Sequence, residues 1–305
     1  MDTTGKYCAQ YVCKAAVGAV FCISGILKML SMEAFEIYIY GFQFFGFNFS
    51  CLLARFIICV ELILGLCLIL NLLKTCSYAS SLLLLVSLSF FLTYVYFARG
   101  NHDNCHCFGD LVKMNPLPSI LKNILFIILL LVSRNATPFR VKYEKVSTAF
   151  LSVVLLAAVF TLSPPDFMIR KSDAGLNEAA LQEAFADKKL DPAILNSGNR
   201  ILCFYGLGCQ YCELTARKLA IIRKRHPDAK LNFIGIFWGE QDTRRQFIEE
   251  TELHYLETFF IDPVTFLTIT NGKMPLVLVM KDGKITERLN YTGIREDVFL
   301  DMTGR

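Results

Sequence analysis

Phe204-Tyr-Gly-Leu-Gly-Cys-Gln-Tyr-Cys-Glu-Leu214 is the stretch whose reading decides the fold. Its entry, Ile201 to Tyr205, reads as a short apolar strand, and Leu214, Ala216, Leu219 and Ala220 behind it recur at helical spacing. The glycine-containing turn between them places Cys209 at a helix N-terminus and Cys212 one turn further in. Residues three apart share a helical face, close enough for a disulfide. The unpaired N–H groups and the dipole at that terminus favour a thiolate, the form that attacks disulfides. A structural disulfide, or half of a zinc site, is the plainer use of such a pair. Zinc wants a second Cys or His pair, and none follows at the usual spacing. The strand–CxxC–helix context favours redox chemistry.

Working outward, the 305 residues are 54% hydrophobic, too apolar for one soluble domain, and the length suggests about two domains. The apolar residues crowd before Pro164 and the charges after it. Most first-half members of the twelve cysteines sit in apolar runs, where Cys behaves as a small buried hydrophobe. A net charge of +4 gives no reason to invoke nucleic acid.

Apolar runs over Tyr11 to Met32, Cys51 to Leu70, Ala79 to Phe97, Pro118 to Val132 and Ser147 to Ser163 approach or reach the roughly 20 residues that span a bilayer. The first lacks a small-x-small cleavage site and is too long for a signal peptide, so it reads as a retained helix. The expected first loop, Glu33 to Ser50, has no Lys or Arg. The loop after the fourth run holds Arg134, Arg140, Lys142 and Lys145 against Glu144 alone, and the N-terminal tail has Lys6. The positive-inside rule then puts the N-terminus in the cytoplasm, and five crossings carry everything after Ser163, and the third loop, to the extracytoplasmic side. Disulfides persist there.

Pro164-Pro165 ends the last run and Asp166 to Gly175 reads as a linker. The expected organisation is 1–165 in the membrane, 166–175 linker and 176–305 soluble. In the soluble part the pattern predicts a helix over Glu178 to Ala186, a strand over Asn232 to Trp238 and a helix over Asp242 to Leu253. An irregular stretch follows through Ile261-Asp-Pro263, then an apolar strand within Lys273 to Met280. Asp282-Gly283 is a hairpin turn, Lys284 to Asn290 the return strand, and Arg295 to Met302 a last helix. From about Leu181 onward this order resembles the thioredoxin fold, on the strength of Cys209-Gln-Tyr-Cys212 and Met274-Pro275. The resemblance implies that Pro275 is cis and lies beside the CxxC. A proline opening a strand also suits a position without a ladder donor. Cys203, in the strand before the motif, reads as buried and inert.

A second cysteine motif stands in the third loop, Asn101-His-Asp-Asn-Cys-His-Cys-Phe-Gly-Asp110. A disulfide between Cys105 and Cys107 would close a small, strained and exchange-prone ring. Two thiols beside His106 and His102 also make a soft ligand set suited to zinc or copper. Pairing with Cys51 is a further alternative. Ser24-Gly-Ile-Leu-Lys28, Glu61-Leu-Ile-Leu-Gly65, Cys105-His-Cys-Phe-Gly109 and Lys122-Asn123, in this order, resemble the DoxX/MauE membrane family over about residues 8 to 135. MauE is implicated in maturing methylamine dehydrogenase beside a thioredoxin-like partner, MauD, of the TlpA-like kind, and this chain looks like both roles fused.

Charges inside a membrane default to functional candidates. Glu61, with Lys28 and Arg55 as partners, either lines a proton or quinone pocket or forms a neutralised structural set. The expected architecture is therefore an all-α membrane bundle of about five helices followed by an α/β thioredoxin-like domain. The resemblances imply a thiol–disulfide oxidoreductase on the extracytoplasmic face of the inner membrane, serving disulfide formation or maturation of periplasmic proteins. In it Cys209 attacks, Cys212 resolves, Pro275 flanks them and Cys105/Cys107 exchange electrons with the pair. The alternatives are a non-enzymatic maturation or assembly factor, and a metal-handling protein using Cys105, His106 and Cys107. Expected partners are the lipid bilayer, cysteine-containing extracytoplasmic clients and a quinone as electron acceptor or donor; no bound cofactor and no nucleic acid are expected. Gln210-Tyr211 between the cysteines carries no cue to the direction of electron flow.

Overall fold

A helix needs about 20 apolar residues to cross a hydrocarbon layer of about 30 Å, and among the described residues four helices are long and apolar enough to do so. The structure, a computed structural model, describes residues 3–98, 100, 104–134, 142–168, 174–195, 198–229 and 231–301. It divides into two units: Met1–Ile39 with Phe49–Pro165, and Tyr40–Asn48 with Asp166–Arg305.

The membrane unit is built from α1 (Thr3–Leu30), α2 (Met32–Gly41), α3 (Phe47–Ile69), α4 (Lys74–Ala98), α5 (Pro116–Val132) and α6 (Glu144–Leu162). The end of α2 and the start of α3 fall in the second unit. α1, α3, α4 and α6 are the long apolar helices; α5, with 17 residues, is the shorter fifth. Phe90 and Phe97 on α4, and Phe150 and Val153 on α6, point outward and are largely exposed. That inside-out pattern suits lipid rather than water. α1 and α3 cross closely where small residues meet. A Cβ on Gly65 would lie 2.7 Å from the Gly18 carbonyl oxygen, so the glycine ending Glu61-Leu-Ile-Leu-Gly65 is a packing requirement. The chain is thus a multi-pass membrane protein.

One expectation fails here. Glu33 to Ser50 was expected to be a loop, yet its first part is the helix α2. Phe35, Ile37 and Tyr40 are buried, and so is Glu36, which pairs with the buried Arg55. The segment is too short to register as a span, and the charge that interrupts its apolar pattern is met by Arg55 from α3.

The second unit contains α7 (Glu178–Ala186), β1 (Asn199–Gly206), α8 (Gln210–Arg225), β2 (Asn232–Trp238), α9 (Gln241–Thr251), β3 (Glu257–Phe260), α10 (Pro263–Thr270), β4 (Leu276–Lys281), β5 (Lys284–Leu289) and α11 (Glu296–Asp301). The five strands run in the order β3-β2-β1-β4-β5. β1, β2 and β3 are mutually parallel, and β4 and β5 form an antiparallel hairpin against β1. Because side chains alternate across a strand, Leu202, Phe204, Ile234, Ile236, Leu276 and Leu278 share one face. They pack with Leu181 and Phe185 of α7 and Phe266 and Ile269 of α10. On the other face Tyr205 and Phe237 stack with Phe247 of α9. This is the thioredoxin fold, the α/β half of the expected architecture.

Two elements, β3 and α10, occupy what read as an irregular stretch. β3 has only four residues, too few for an alternation to show, and exists by pairing with β2 from Ile234↔Glu257 to Phe237↔Phe260. α10 begins at Pro263 with Asp262 as its cap, the Asp262 side chain accepting the Thr265 N–H at 2.9 Å. An Asp-Pro pair is a helix-start signal that could have been read. The last helix starts at Glu296, and Met302 lies outside the described residues, as do residues 169–173 of the expected linker.

Residues Tyr40–Asn48 are part of this unit's packing. The Arg225 guanidinium donates to the Phe45 carbonyl at 2.8 Å. The Lys218 ammonium stands 3.5 Å from the Phe47 ring centroid and 3.4 Å from the Asp166 carboxylate. With Lys218 fully buried, the ring and the carboxylate replace its lost hydration.

Candidate active site

Strand β1 delivers the chain to the site and α8 carries it away. Cys209 is the N-cap of α8, with φ −89° and ψ 111°, and its Sγ accepts the Cys212 N–H at 3.3 Å. The Cys209 carbonyl accepts the Cys212 and Glu213 N–H groups at 3.0 and 3.1 Å. Cys209 is partly exposed while Cys212, one turn in, is fully buried. This arrangement splits the two thiols. The Cys212 S–H and the N–H groups of Cys212 and Tyr211 bring Cys209 down to about 7, against burial and the nearby Glu213 carboxylate. Burial, reinforced by the anion of Cys209, pushes Cys212 far above the ordinary thiol range. Burial raises Cys203, inside the sheet, to about 12.

Met274-Pro275 is a cis peptide bond. Leu276 pairs with Phe204, so the buried Pro275 opens β4 just where β1 gives way to the CxxC turn. A Cβ on Gly206 would lie 2.6 Å from the Met274 Sδ and 3.6 Å from the Cys209 Cβ. Met274 and Cys209 thus flank one glycine.

The CxC loop belongs to the membrane unit. Asn104 knits it: its Oδ1 accepts the N–H groups of His106 and Met114 at 3.1 and 3.2 Å, and its Nδ2 donates to the Gly109 carbonyl at 3.3 Å. Cys105 donates its own N–H to the Met114 carbonyl at 2.8 Å. His106, between the two cysteines, takes a left-handed conformation (φ 51°) and stacks on Tyr38 at 4.5 Å. Gly109 (φ 69°) sits against α1, where a Cβ would lie 2.7 Å from the Leu27 carbonyl oxygen. The glycine of Cys-His-Cys-Phe-Gly is therefore required twice over.

Here too the thiols differ. The Cys107 S–H, the Ser119 hydroxyl at 3.0 Å and the Cys107 N–H at 3.4 Å bring Cys105 down to about 6 despite burial. Cys107 is raised, first by donating to Cys105 and then by burial. Ser119 was not singled out in the sequence: a lone serine after Pro118 carries no motif, and only the fold of the loop brings it to the sulfur.

The expected charge cluster separates into two. Lys28 pairs with Glu61 at 2.5 Å, and Ser24 bridges them, accepting from Lys28 at 2.9 Å and lying 3.1 Å from the second Glu61 oxygen. Ser24 also lies 2.7 Å from the Cys107 carbonyl oxygen, so this buried set stands directly against the CxC loop. Arg55 is not a partner of Glu61. It pairs with Glu36 and donates to the Cys51 and Ser163 carbonyls at 2.7 and 2.8 Å. The reason is α2, which supplies a carboxylate that a loop would not have fixed. Lys122 lies over the Phe108 ring at 4.3 Å, and Asn123 beside it is buried. Among the described residues no three His, Cys, Asp or Glu side chains converge as metal ligands. His106 is stacked on Tyr38, and His102 lies outside the described residues.

Residues 7–134 match the model of a family described as methylamine utilisation protein MauE. Protein TlpB of Flavobacterium psychrophilum is 26% identical over 297 residues, covering 80% of this chain and 81% of that protein. Among solved structures, a secreted Mycobacterium tuberculosis disulfide oxidoreductase homologous to E. coli DsbE is 18% identical. It covers 38% of this chain and 87% of its own, with a TM-score of 0.31. The thioredoxin domain of a Bacteroides vulgatus thiol-disulfide oxidoreductase is 15% identical over 35% of this chain and 77% of its own, with a TM-score of 0.29. The thioredoxin assignment rests on this chain's own strand order, CxxC cap and cis proline. The chain joins a membrane region that matches the MauE model to a unit with the thioredoxin fold.

Proposed function

We propose that this chain is a membrane-anchored thiol–disulfide oxidoreductase in which electrons pass between Cys209/Cys212 and Cys105/Cys107. One observation carries the reading: in each pair one sulfur lies among donors that favour the thiolate, the Cys212 N–H at Cys209 and the Ser119 hydroxyl and Cys107 N–H at Cys105, and the thiolate is the form that exchanges. The Cys209 thiolate attacks a client disulfide, that S–S bond breaks, and the departing client sulfur takes up a proton. Cys212 loses its proton and attacks the Cys209 sulfur, which releases the second client thiol and leaves Cys209–Cys212 oxidised. The client gains two electrons and two protons. The Cys105/Cys107 dithiol restores Cys209/Cys212 by the same exchange and becomes the disulfide, and every step runs in reverse for an oxidase. A lipid-soluble quinone is the class of acceptor or donor we assign to the membrane pair.

Charge supports one side of the membrane. Residues 33–50 hold no Lys or Arg, and set against Arg134, Lys142 and Lys145 they favour a cytoplasmic N-terminus and an extracytoplasmic CxxC unit.

The test uses the full chain in detergent, because the second unit takes in residues 40–48 as well as the C-terminal part. In an insulin-reduction or reduced-client oxidation assay, Cys209→Ser abolishes turnover and Cys212→Ser accumulates a mixed disulfide with client. Normal turnover by Cys212→Ser refutes the roles. The MauE match favours one other reading, a maturation factor for methylamine-utilisation enzymes that holds clients without turning them over. An intact chain that binds client cysteines yet leaves their redox state unchanged would establish that reading instead.

A further inference from the structure

In each cysteine pair the polar contacts gather on one sulfur. In the CxxC the partly exposed sulfur, Cys209, is the one held toward the thiolate and the buried one, Cys212, is the thiol. In the CxC loop Cys105 is 4% exposed while Cys107 is partly exposed. In the loop the polar contacts gather on the Cys105 sulfur: the Ser119 hydroxyl at 3.0 Å and the Cys107 N–H at 3.4 Å. A sulfur held in this way is suited to leave with the electron pair.

We infer that incoming thiolates attack Cys107, and that Ser119 is the catalytic hydroxyl that receives Cys105 as the leaving thiolate. The inference rests on the reading of Cys105 and Cys107 as a redox pair, and goes beyond it by assigning the attacked sulfur and a new catalytic residue. In the step, an external thiolate forms a bond to the Cys107 sulfur, the Cys105–Cys107 bond breaks, and its electron pair goes to the Cys105 sulfur. A buried anion without donors is costly. Here the Ser119 Oγ, itself fully buried, lies 3.0 Å from that sulfur and the Cys107 N–H lies 3.4 Å away. Ser119 stands in the first turn of α5, whose N-terminal dipole favours the same charge. Cys105 is held there by its N–H bond to Met114 and by Asn104. The depressed Cys105 thiol agrees with the geometry, because a leaving sulfur departs faster the lower its pKa.

The experiment uses full-length protein in detergent carrying Cys209→Ser and Cys212→Ser, oxidised so that the loop disulfide is closed, with reduced glutathione as the probe. Peptide mapping of the trapped adduct is expected to find glutathione on Cys107. Ser119→Ala is expected to slow opening roughly tenfold, the effect of a weaker leaving group, and Ser119→Thr to restore most of the rate. In a Cys107→Ser background, Ser119→Ala is expected to move the pH midpoint of Cys105 alkylation upward, which a merely structural residue would not do. Glutathione found on Cys105, or a rate and midpoint indifferent to Ser119→Ala, overturns the inference. The mapping arm needs no change at Ser119, so it decides even where Ser119→Ala does not fold. A loop that opens to glutathione in a Ser119-dependent way, but never exchanges with Cys209 in the otherwise unaltered chain, upholds the inference and removes the relay.

Discussion

The Cys209 sulfur accepts the backbone N–H of Cys212 at 3.3 Å, so the first cysteine of the motif is the cap of the helix that carries the second. Capping and thiolate stabilisation are then one interaction. The donors that complete the helix end are those that favour charge on sulfur.

A pH dependence follows. Iodoacetamide should modify Cys209 with a midpoint near pH 7, where an ordinary thiol would show one near 9.0. The sign is that of a depressed acid. Its contribution to the stability of the reduced unit is fully present above the ordinary thiol value and is lost as pH falls through about 7. Cys212→Ala removes the S–H donor and should raise the midpoint. A midpoint that stays put in Cys212→Ala would show that the S–H contributes nothing.

The Lys28–Glu61 pair, each side chain about 5% exposed, should behave as a buried ion pair does. Glu61→Gln leaves an unmatched ammonium and should cost about 3–5 kcal/mol, while Lys28→Met combined with Glu61→Gln should recover much of that loss. Thermal unfolding of the detergent-solubilised variants measures both. Additive losses in the double variant would contradict the pairing.

Gly109→Ala should disturb the CxC loop alone. The new methyl group meets the Leu27 carbonyl and the backbone is left-handed there, so opening of the Cys105–Cys107 disulfide by dithiothreitol should change severalfold. Cys209 alkylation should not. Equal changes at both sites would mean that the glycine supports the whole chain rather than the loop.

For topology, a membrane-impermeant maleimide applied to intact, reduced cells should label Cys107. Labelling that appears only after lysis would reverse the assigned orientation.

The parts of this protein that the sequence revealed are those whose signals are local. The CxxC cap needs only a strand, a glycine turn and a helix start. The spans need only length, and Met274-Pro275 needs only its place before an apolar run. The remaining elements depend on distant residues. α2 looked like a loop because Glu36 is tolerable there only beside Arg55, and β3 has no length of its own without β2. Ser119 shows most clearly how a site residue can be invisible: nothing in its neighbours marks it, and its meaning comes from a sulfur fourteen positions earlier. The Asp262-Pro263 start of α10 is by contrast a local signal.

Residues Tyr40–Asn48 sit in the second unit although the chain makes them long before Asp166. During synthesis that short stretch must therefore wait, unsatisfied, while the later membrane helices are inserted. Domains generally fold as units in the order in which the ribosome supplies them, and this one cannot be finished in that manner. Its packing joins an early piece to a late one, with the Phe47 ring lying against Lys218. The completed unit thereby reports that the helices between the two pieces have been laid down, which makes biosynthetic order part of this protein's architecture.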